Sequence, residues 1–209
     1  MSSSGNDELI LRSSPPSPFG RKVKLVAAVT GHDAHIQVEE AATADPDDSL
    51  REQNPLGKIP TLILADGTAL YDSRVICAFL DAHSLTGARV IPDGEDRWHA
   101  LRLQALGDGI MDAGILQVYE ARMRPPERRH AEWTDYQQAK IDRALAVLEA
   151  DPPALGTPTT IGDIAIACAL GYLDLRFDGV WRGAHPKLVD WIARFEAALP
   201  AFAKTRITA

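Results

Sequence analysis

A chain of 209 residues, 45% hydrophobic and 24% charged, is long enough for one large domain or two modest ones and too apolar to be disordered. A net charge of −7 and the want of a dense Lys/Arg run, Arg21-Lys22-Lys24 being the closest to one, argue against a nucleic-acid partner. The start Met-Ser-Ser-Ser-Gly-Asn-Asp-Glu lacks the basic and apolar parts of a signal peptide, and no apolar run reaches membrane length, so no membrane contact and a reduced, cytoplasmic location are expected.

Residues 8–13 (ELILRS) read as a strand, and Ser17-Pro18 then opens a helix with both preferred start residues. Gly31 closes that helix, and residues 35–39 (HIQVE) alternate like a second strand. After a polar loop holding Asp45-Pro46-Asp47-Asp48, residues 61–65 and 68–71 flank Asp66-Gly67, which predicts a hairpin with a two-residue turn. Residues 73–83 form the next helix, with Ser73 as its cap. The order strand, helix, strand, hairpin, helix is that of an α/β thioredoxin-like domain, placed at 1–83. Residues 84–94 have linker composition. Beyond them, 95–209 read as an all-α bundle, with helices over 95–123, 133–150 and 161–176 and another from Pro186. The third of these is apolar on nearly every face and is expected at the bundle centre.

The two cysteines, Cys77 and Cys168, sit in apolar stretches without a CxxC pair and read as small core residues. The six histidines are scattered, with no carboxylate cluster to complete a metal site, so no metal is expected.

Four clusters carry chemistry. In order they are Ser17-Pro18-Phe19-Gly20-Arg21-Lys22-Val23, Asn54-Pro55-Leu56-Gly57-Lys58-Ile59-Pro60-Thr61-Leu62, Leu70-Tyr71-Asp72-Ser73-Arg74-Val75-Ile76 and Thr160-Ile161-Gly162-Asp163-Ile164-Ala165. Together, and at these spacings, they resemble the soluble glutathione transferases, especially bacterial members with an SPF motif. The resemblance spans residues 8 to about 203.

Proline directly before an apolar strand suits a cis Ile59–Pro60 bond, which would leave the Ile59 N–H and C=O turned outward to pair with an extended peptide. An ordinary trans proline at a strand start is the alternative. The resemblance implies that the cysteinyl unit of glutathione pairs there. It also implies that Ser73 takes the γ-glutamyl carboxylate at a helix N-terminus, with Asp72 facing the ammonium and Lys58 the glycyl carboxylate. Most relatives carry Glu where this chain has Asp72, and a plain helix cap would have the same sequence.

Ser17 is the catalytic candidate. The thiolate is the nucleophile, and a hydroxyl at a helix N-terminus can stabilise it by a hydrogen bond and a positive potential. Relatives with Cys at this position form mixed disulfides, so Ser favours conjugation. Pro15-Pro16 leave Ser13 or Ser14 open as the nearer hydroxyl, with Ser14 the named alternative, and a pure cap role for Ser17 stays open too. Thr160 and Asp163 fit a structural capping box.

Gly107, Gly109 and Gly114 each cost about 0.8–1 kcal/mol in a helix interior. The resemblance places this helix along the active-site cleft and a homodimer interface. Ile110, Met111, Ile115 and Tyr119 are then expected at the electrophile pocket, or else in the core, and Asp108 near a partner's glutathione. The expected activity is conjugation of glutathione, as co-substrate, to a small electrophile in detoxification. The alternatives are a glutathione-dependent isomerase, dehalogenase or peroxidase, and a non-catalytic binding or stress module.

Overall fold

The structure, a computed structural model, describes residues 9–157 and 159–207. Glu8, expected to open the first strand, and the outermost residues of both expected domains lie outside the described residues. The chain divides into two compact units, one ending at Ile91 and the other beginning at Pro92.

The first unit is a four-stranded sheet in the order β2-β1-β3-β4, built from β1 (Leu9–Ser13), β2 (Ile36–Glu40), β3 (Thr61–Ile63) and β4 (Ala69–Leu70). β1 runs parallel to β2 and antiparallel to β3, and β3 is antiparallel to β4. The parallel pair needs a crossover, and helix α1 (Pro18–Thr30) supplies it. Ser17 caps α1, with its Oγ accepting from the Gly20 N–H at 3.1 Å, and Gly31 ends it in the left-handed conformation at φ 81°. Helix α2 (Leu50–Gln53) is a single turn in the loop after β2. Helix α3 (Ser73–Ala82) packs beside α1 and buries Ile76, Cys77 and Leu80.

Two local expectations are corrected. The β3–β4 turn has a three-residue loop, Ala65–Gly67, because the Leu64 N–H bonds to Thr68 and the Gly67 N–H bonds back to Leu64. A two-residue type I′ turn needs positive φ at both central residues, and here only Gly67, at φ 84°, has it. The cap of α3 is Asp72, not Ser73: the Asp72 Oδ1 accepts from the Arg74 N–H at 2.9 Å, and Ser73 is the first helical residue.

Residues 84–91 are tied back onto the first unit. The Leu85 N–H donates to the Thr30 carbonyl at 2.8 Å, and the buried Asp81 carboxylate accepts from Val90 N, Ile91 N and Arg89 Nε at 2.6, 3.0 and 2.9 Å. Val90 and Ile91 are consequently core residues.

The second unit is helical: α4 (Asp96–Met123), α5 (Ala131–Ala150), α6 (Ile161–Arg176), α7 (Pro186–Ala198) and the single turn α8 (Ala201–Lys204). Helix α6 is its centre, with Ile161, Ile164, Ile166 and Leu170 all fully buried. Each such side chain contributes about 1.5–3 kcal/mol of transfer free energy. Two α4 glycines are explained by packing within the unit. A Cβ on Gly107 would lie 2.6 Å from the Ala165 carbonyl carbon, and one on Gly114 would lie 3.2 Å from the Tyr172 ring. Gly109 is exposed, and nothing lies within 4 Å of its would-be Cβ. Trp191 and Phe195 of α7 stack on each other and Phe202 meets Phe195 edge-on, while the first N–H groups of α7 are capped by both oxygens of Glu149 from α5, each at 3.0 Å.

Thr160 and Asp163 form a reciprocal cap at the start of α6. The Asp163 N–H donates to Thr160 Oγ1 at 3.3 Å, and Asp163 Oδ2 accepts from the Thr160 N–H at 2.9 Å and its hydroxyl at 2.7 Å. Burial raises the Asp163 pKa, against the opposing pull of the Thr160 hydrogen bonds and of His99. A carboxyl whose folded pKa lies above its unfolded value contributes stability that is complete below the unfolded pKa and lost as pH rises through the folded one. Asp163→Asn cannot ionise. Its thermal midpoint is expected to fall less than that of the parent between acidic and neutral pH; equal slopes in the two proteins would contradict this account.

Candidate functional site

The sheet register brings three of the four sequence clusters to one end of the first unit. β1 places Arg12 opposite Thr61, and β3 places Leu62 opposite Leu70. Just beyond those pairs, the chain leaves the sheet as Ser14–Ser17, arrives as Lys58–Pro60, and leaves again as Tyr71–Ser73. The fourth cluster, at Thr160, caps a helix of the other unit.

Each segment presents a different kind of group. At the first, a turn closed by the Ser17 N–H on the Ser14 carbonyl, at 3.1 Å, delivers Ser17 to the start of α1. Both Ser14 and Ser17 are half-buried. The Ser17 oxygen accepts from Gly20, so its hydroxyl proton is available to a ligand. A Cβ on Gly20 would lie 2.0 Å from Ser13 Oγ, a buried hydroxyl without a hydrogen-bond partner among the described residues, so any larger residue here would displace that side chain.

At the second segment Ile59–Pro60 is cis, as the sequence suggests, with Ile59 half-buried, Pro60 buried and Lys58 exposed. Among the described residues the Ile59 N–H and C=O have no hydrogen-bond partner. An unpaired backbone N–H and C=O on one residue offer an extended ligand the two hydrogen bonds of an added strand. At the third, Ser73 is 3% exposed at the N-terminus of a ten-residue helix, while Asp72 is exposed. Helix N–H groups and a small hydroxyl make that end suited to a carboxylate.

Two residues that sequence reasoning left without a role hold these segments in place. Asn54 is 1% exposed; its Nδ2 donates to the Lys58 carbonyl at 2.9 Å and to Thr61 Oγ1 at 3.1 Å, and its Oδ1 accepts from the Leu56 N–H at 3.0 Å. One amide thereby shapes the whole loop ahead of Pro60, an outcome signalled by the turn-forming pattern Asn-Pro-x-Gly. Arg12 is 5% exposed within β1. It donates to Asp48 at 2.8 Å, Ser49 at 3.0 Å and Gln53 at 2.6 Å, binding the α2 segment to the sheet. Hydrogen bonds from the Leu50 and Ala42 N–H groups, with Arg12 alongside, hold the Asp48 carboxyl below its usual range. No sequence signal distinguished Arg12 from an exposed strand residue.

In the helical unit, Ile110 and Met111 are closed to solvent, as is Asp108 at 1% exposure. Ile115 is half-buried and Tyr119 is 42% exposed. A looser basic stretch lies here: Arg122, Arg124, Arg128 and Arg129 are all exposed around the α4–α5 connection. Arg129 spends its guanidinium on the Ala121 and Arg124 carbonyls, which lets it serve the C-terminal end of α4. Among the described residues no group of three or more His, Cys, Asp or Glu is placed to hold a metal, and no helix is long and apolar enough to cross a membrane.

Residues 16–83 match the glutathione S-transferase N-terminal domain, and residues 117–194 match the glutathione S-transferase C-terminal domain. The chain belongs to the glutathione transferase family. A glutathione transferase family member from Pseudomonas fluorescens Pf-5, solved with bound glutathione, is 44% identical and superposes with a TM-score of 0.90 over 97% of this chain and 100% of that one. A second crystal structure from that organism, with bound S-(propanoic acid)-glutathione, is 43% identical with a TM-score of 0.85 over 96% and 100% of the two chains. The uncharacterized GST-like protein YibF of Escherichia coli is 33% identical over 163 residues, 77% of this chain and 79% of that one. The thioredoxin-like sheet followed by a helical domain is the glutathione transferase fold.

Proposed function

We propose that this glutathione transferase binds glutathione at the end of its sheet and activates the thiol for conjugation to a small electrophile. The observation that carries the reading is the unpaired Ile59 backbone, set between a helix-capping serine and a helix N-terminus. Support comes from the Pseudomonas fluorescens relative solved with glutathione. The cysteinyl unit pairs with Ile59, the γ-glutamyl carboxylate sits on Ser73, its ammonium faces Asp72, and Lys58 takes the glycyl carboxylate.

Ser17 donates its hydroxyl proton to sulfur, and the N-terminus of α1 adds positive potential, so the bound thiol loses its proton to solvent below its ordinary pKa. The thiolate then forms the S–C bond. A leaving group departs with its bonding pair, or, where the electrophile is an activated alkene, the adjacent carbon takes a proton from water. Ile115 and Tyr119 are the side chains of the proposed electrophile pocket with an open face. The relative holding S-(propanoic acid)-glutathione, a conjugate, favours this reading over isomerase or peroxidase chemistry. Cys77 and Cys168, buried thiols outside any disulfide, suit a reducing cytoplasm, and detoxification is the role proposed for the reaction.

The test is retention on immobilised glutathione followed by conjugation of 1-chloro-2,4-dinitrobenzene. Retention with turnover is expected; the absence of retention would leave a non-catalytic module as the better account. The protein is further proposed to act as a two-fold homodimer, with Gly109 leaving room for the backbone of a second copy. Light scattering should give about twice the chain mass of 22.7 kDa, and a monomer would contradict the proposal.

A further inference from the structure

Around the Asn54 side chain every proton has one place to go. The Leu56 N–H can only donate, so the atom it meets at 3.0 Å is Oδ1 and the other is the amide nitrogen. That nitrogen has two protons and two acceptors, the Lys58 carbonyl at 2.9 Å and Thr61 Oγ1 at 3.1 Å. The Thr61 hydroxyl, having accepted one proton, gives its own to the same Lys58 carbonyl at 3.1 Å. The three groups close a ring. Asn54 is 1% exposed and Thr61 is 0% exposed, so water does not compete for these bonds.

The carbonyl held by this ring shares its peptide plane with the Ile59 N–H. Lys58–Ile59 is a trans bond, in which C=O and N–H point in opposite directions. Two donors on the Lys58 oxygen occupy both of its lone pairs and fix the plane. The Ile59 N–H is thereby aimed away from Asn54 and Thr61, and among the described residues it has no acceptor. A loop peptide without such a lock would turn about its flanking torsions, and a ligand would have to arrest that motion at a cost in conformational entropy. The ring is itself anchored. Gln53, next to Asn54, accepts from Arg12 at 2.6 Å, and Thr61 opens β3 opposite Arg12 of β1.

We infer that Asn54 and Thr61 are positioning residues for glutathione: they hold the Lys58–Ile59 peptide before the ligand arrives, with the Ile59 N–H already turned toward the cysteinyl carbonyl. The inference rests on the proposed glutathione site and names what makes its Ile59 contact rigid. Both side chains are closed to solvent and act through that one peptide group.

Nuclear magnetic resonance relaxation on the intact protein without glutathione reads the lock directly and needs no variant. The Ile59 amide is expected to show an order parameter of about 0.85, that of rigid backbone, and a value below about 0.6 would overturn the inference. Thr61→Val keeps the branched shape and removes the hydroxyl, so its Ile59 amide should fall toward the flexible range while the amides of β1 stay rigid. Calorimetry should then show glutathione bound about fivefold more weakly, the scale of one hydrogen bond. KM for glutathione should rise by a similar factor, with kcat at saturating glutathione falling far less. Thr61→Ser keeps the hydroxyl and should recover most of the affinity. Asn54→Asp sets a second acceptor against the Lys58 oxygen and should lose at least as much as Thr61→Val. A folded Thr61→Val protein that binds glutathione as the parent does would overturn the positioning role and leave the glutathione site standing. So would Thr61→Ser binding no better than Thr61→Val. A parent protein that fails to bind glutathione would overturn the site itself and this inference with it.

Discussion

Gly107→Val is expected to destabilise the helical unit by about 3 kcal/mol, the upper part of the usual range for overpacking a core. The first added carbon already lies 2.6 Å from the Ala165 carbonyl carbon, 2.8 Å from its oxygen and 2.9 Å from Ile166 N. These are backbone atoms of α6, the fully buried centre of the bundle, so relief requires the helices to part along their length. Parting them opens voids beside Ile164 and Ile166, both 0% exposed, and forfeits close packing on both sides. Gly114→Ala is the comparison, because its Cβ meets the edge of a ring at 3.2 Å, which can move by tenths of an ångström. Urea denaturation followed by tryptophan fluorescence reads both. A Gly107→Val midpoint equal to that of the parent would refute the packing account of this glycine.

The second large effect is chemical. Ser17→Ala is expected to lower conjugation by on the order of 10²-fold, the lower end of what removing one donor to a developing anion costs. The same change removes the cap of α1 and about 1 kcal/mol of stability, so activity and thermal midpoint must both be read. Ser17→Cys separates the two roles. A thiol at a helix N-terminus has a lowered pKa, so under mild oxidation it should form a mixed disulfide with bound glutathione. Conjugation should fall as thiol transfer appears. Ser14→Cys is the control, since the Ser14 carbonyl accepts from the Ser17 N–H in the same turn. Glutathionylation of Ser14→Cys with a free thiol in Ser17→Cys would move the sulfur to Ser14 and end the assignment to Ser17.

Much of the local geometry of the candidate site was legible because it depends on near neighbours. Ser17-Pro18 and Thr160-x-x-Asp163 are caps whose partners lie within three residues, so sequence spacing alone determines them. Ile59-Pro60 belongs to the same class. What escaped depends on distant partners or on a single torsion angle. Arg12 is buried because Asp48, Ser49 and Gln53 fold back onto β1 from more than thirty residues away, and nothing in the segment ELILRS announces that. The cap of α3 moved by one residue because both Asp72 and Ser73 are good caps, and only the extended backbone of Asp72 decides between them. The hairpin grew by one residue because Asp-Gly serves two turn types, distinguished by φ at Asp66. The helix glycines suggested a close approach of backbones. The partner proved to be α6 of the same chain for Gly107, a pairing that no period in α4 could supply.

The account as a whole rests on glutathione being held with its sulfur at Ser17 and ionised there. The most direct measurement is the ultraviolet absorbance of the thiolate, titrated with pH for glutathione bound to the parent protein and to Ser17→Ala. In the parent the bound thiol should ionise at least about one pH unit below the free thiol range near 8.5, and in Ser17→Ala the difference should largely vanish. A bound thiol that titrates like the free one in both proteins would contradict the account.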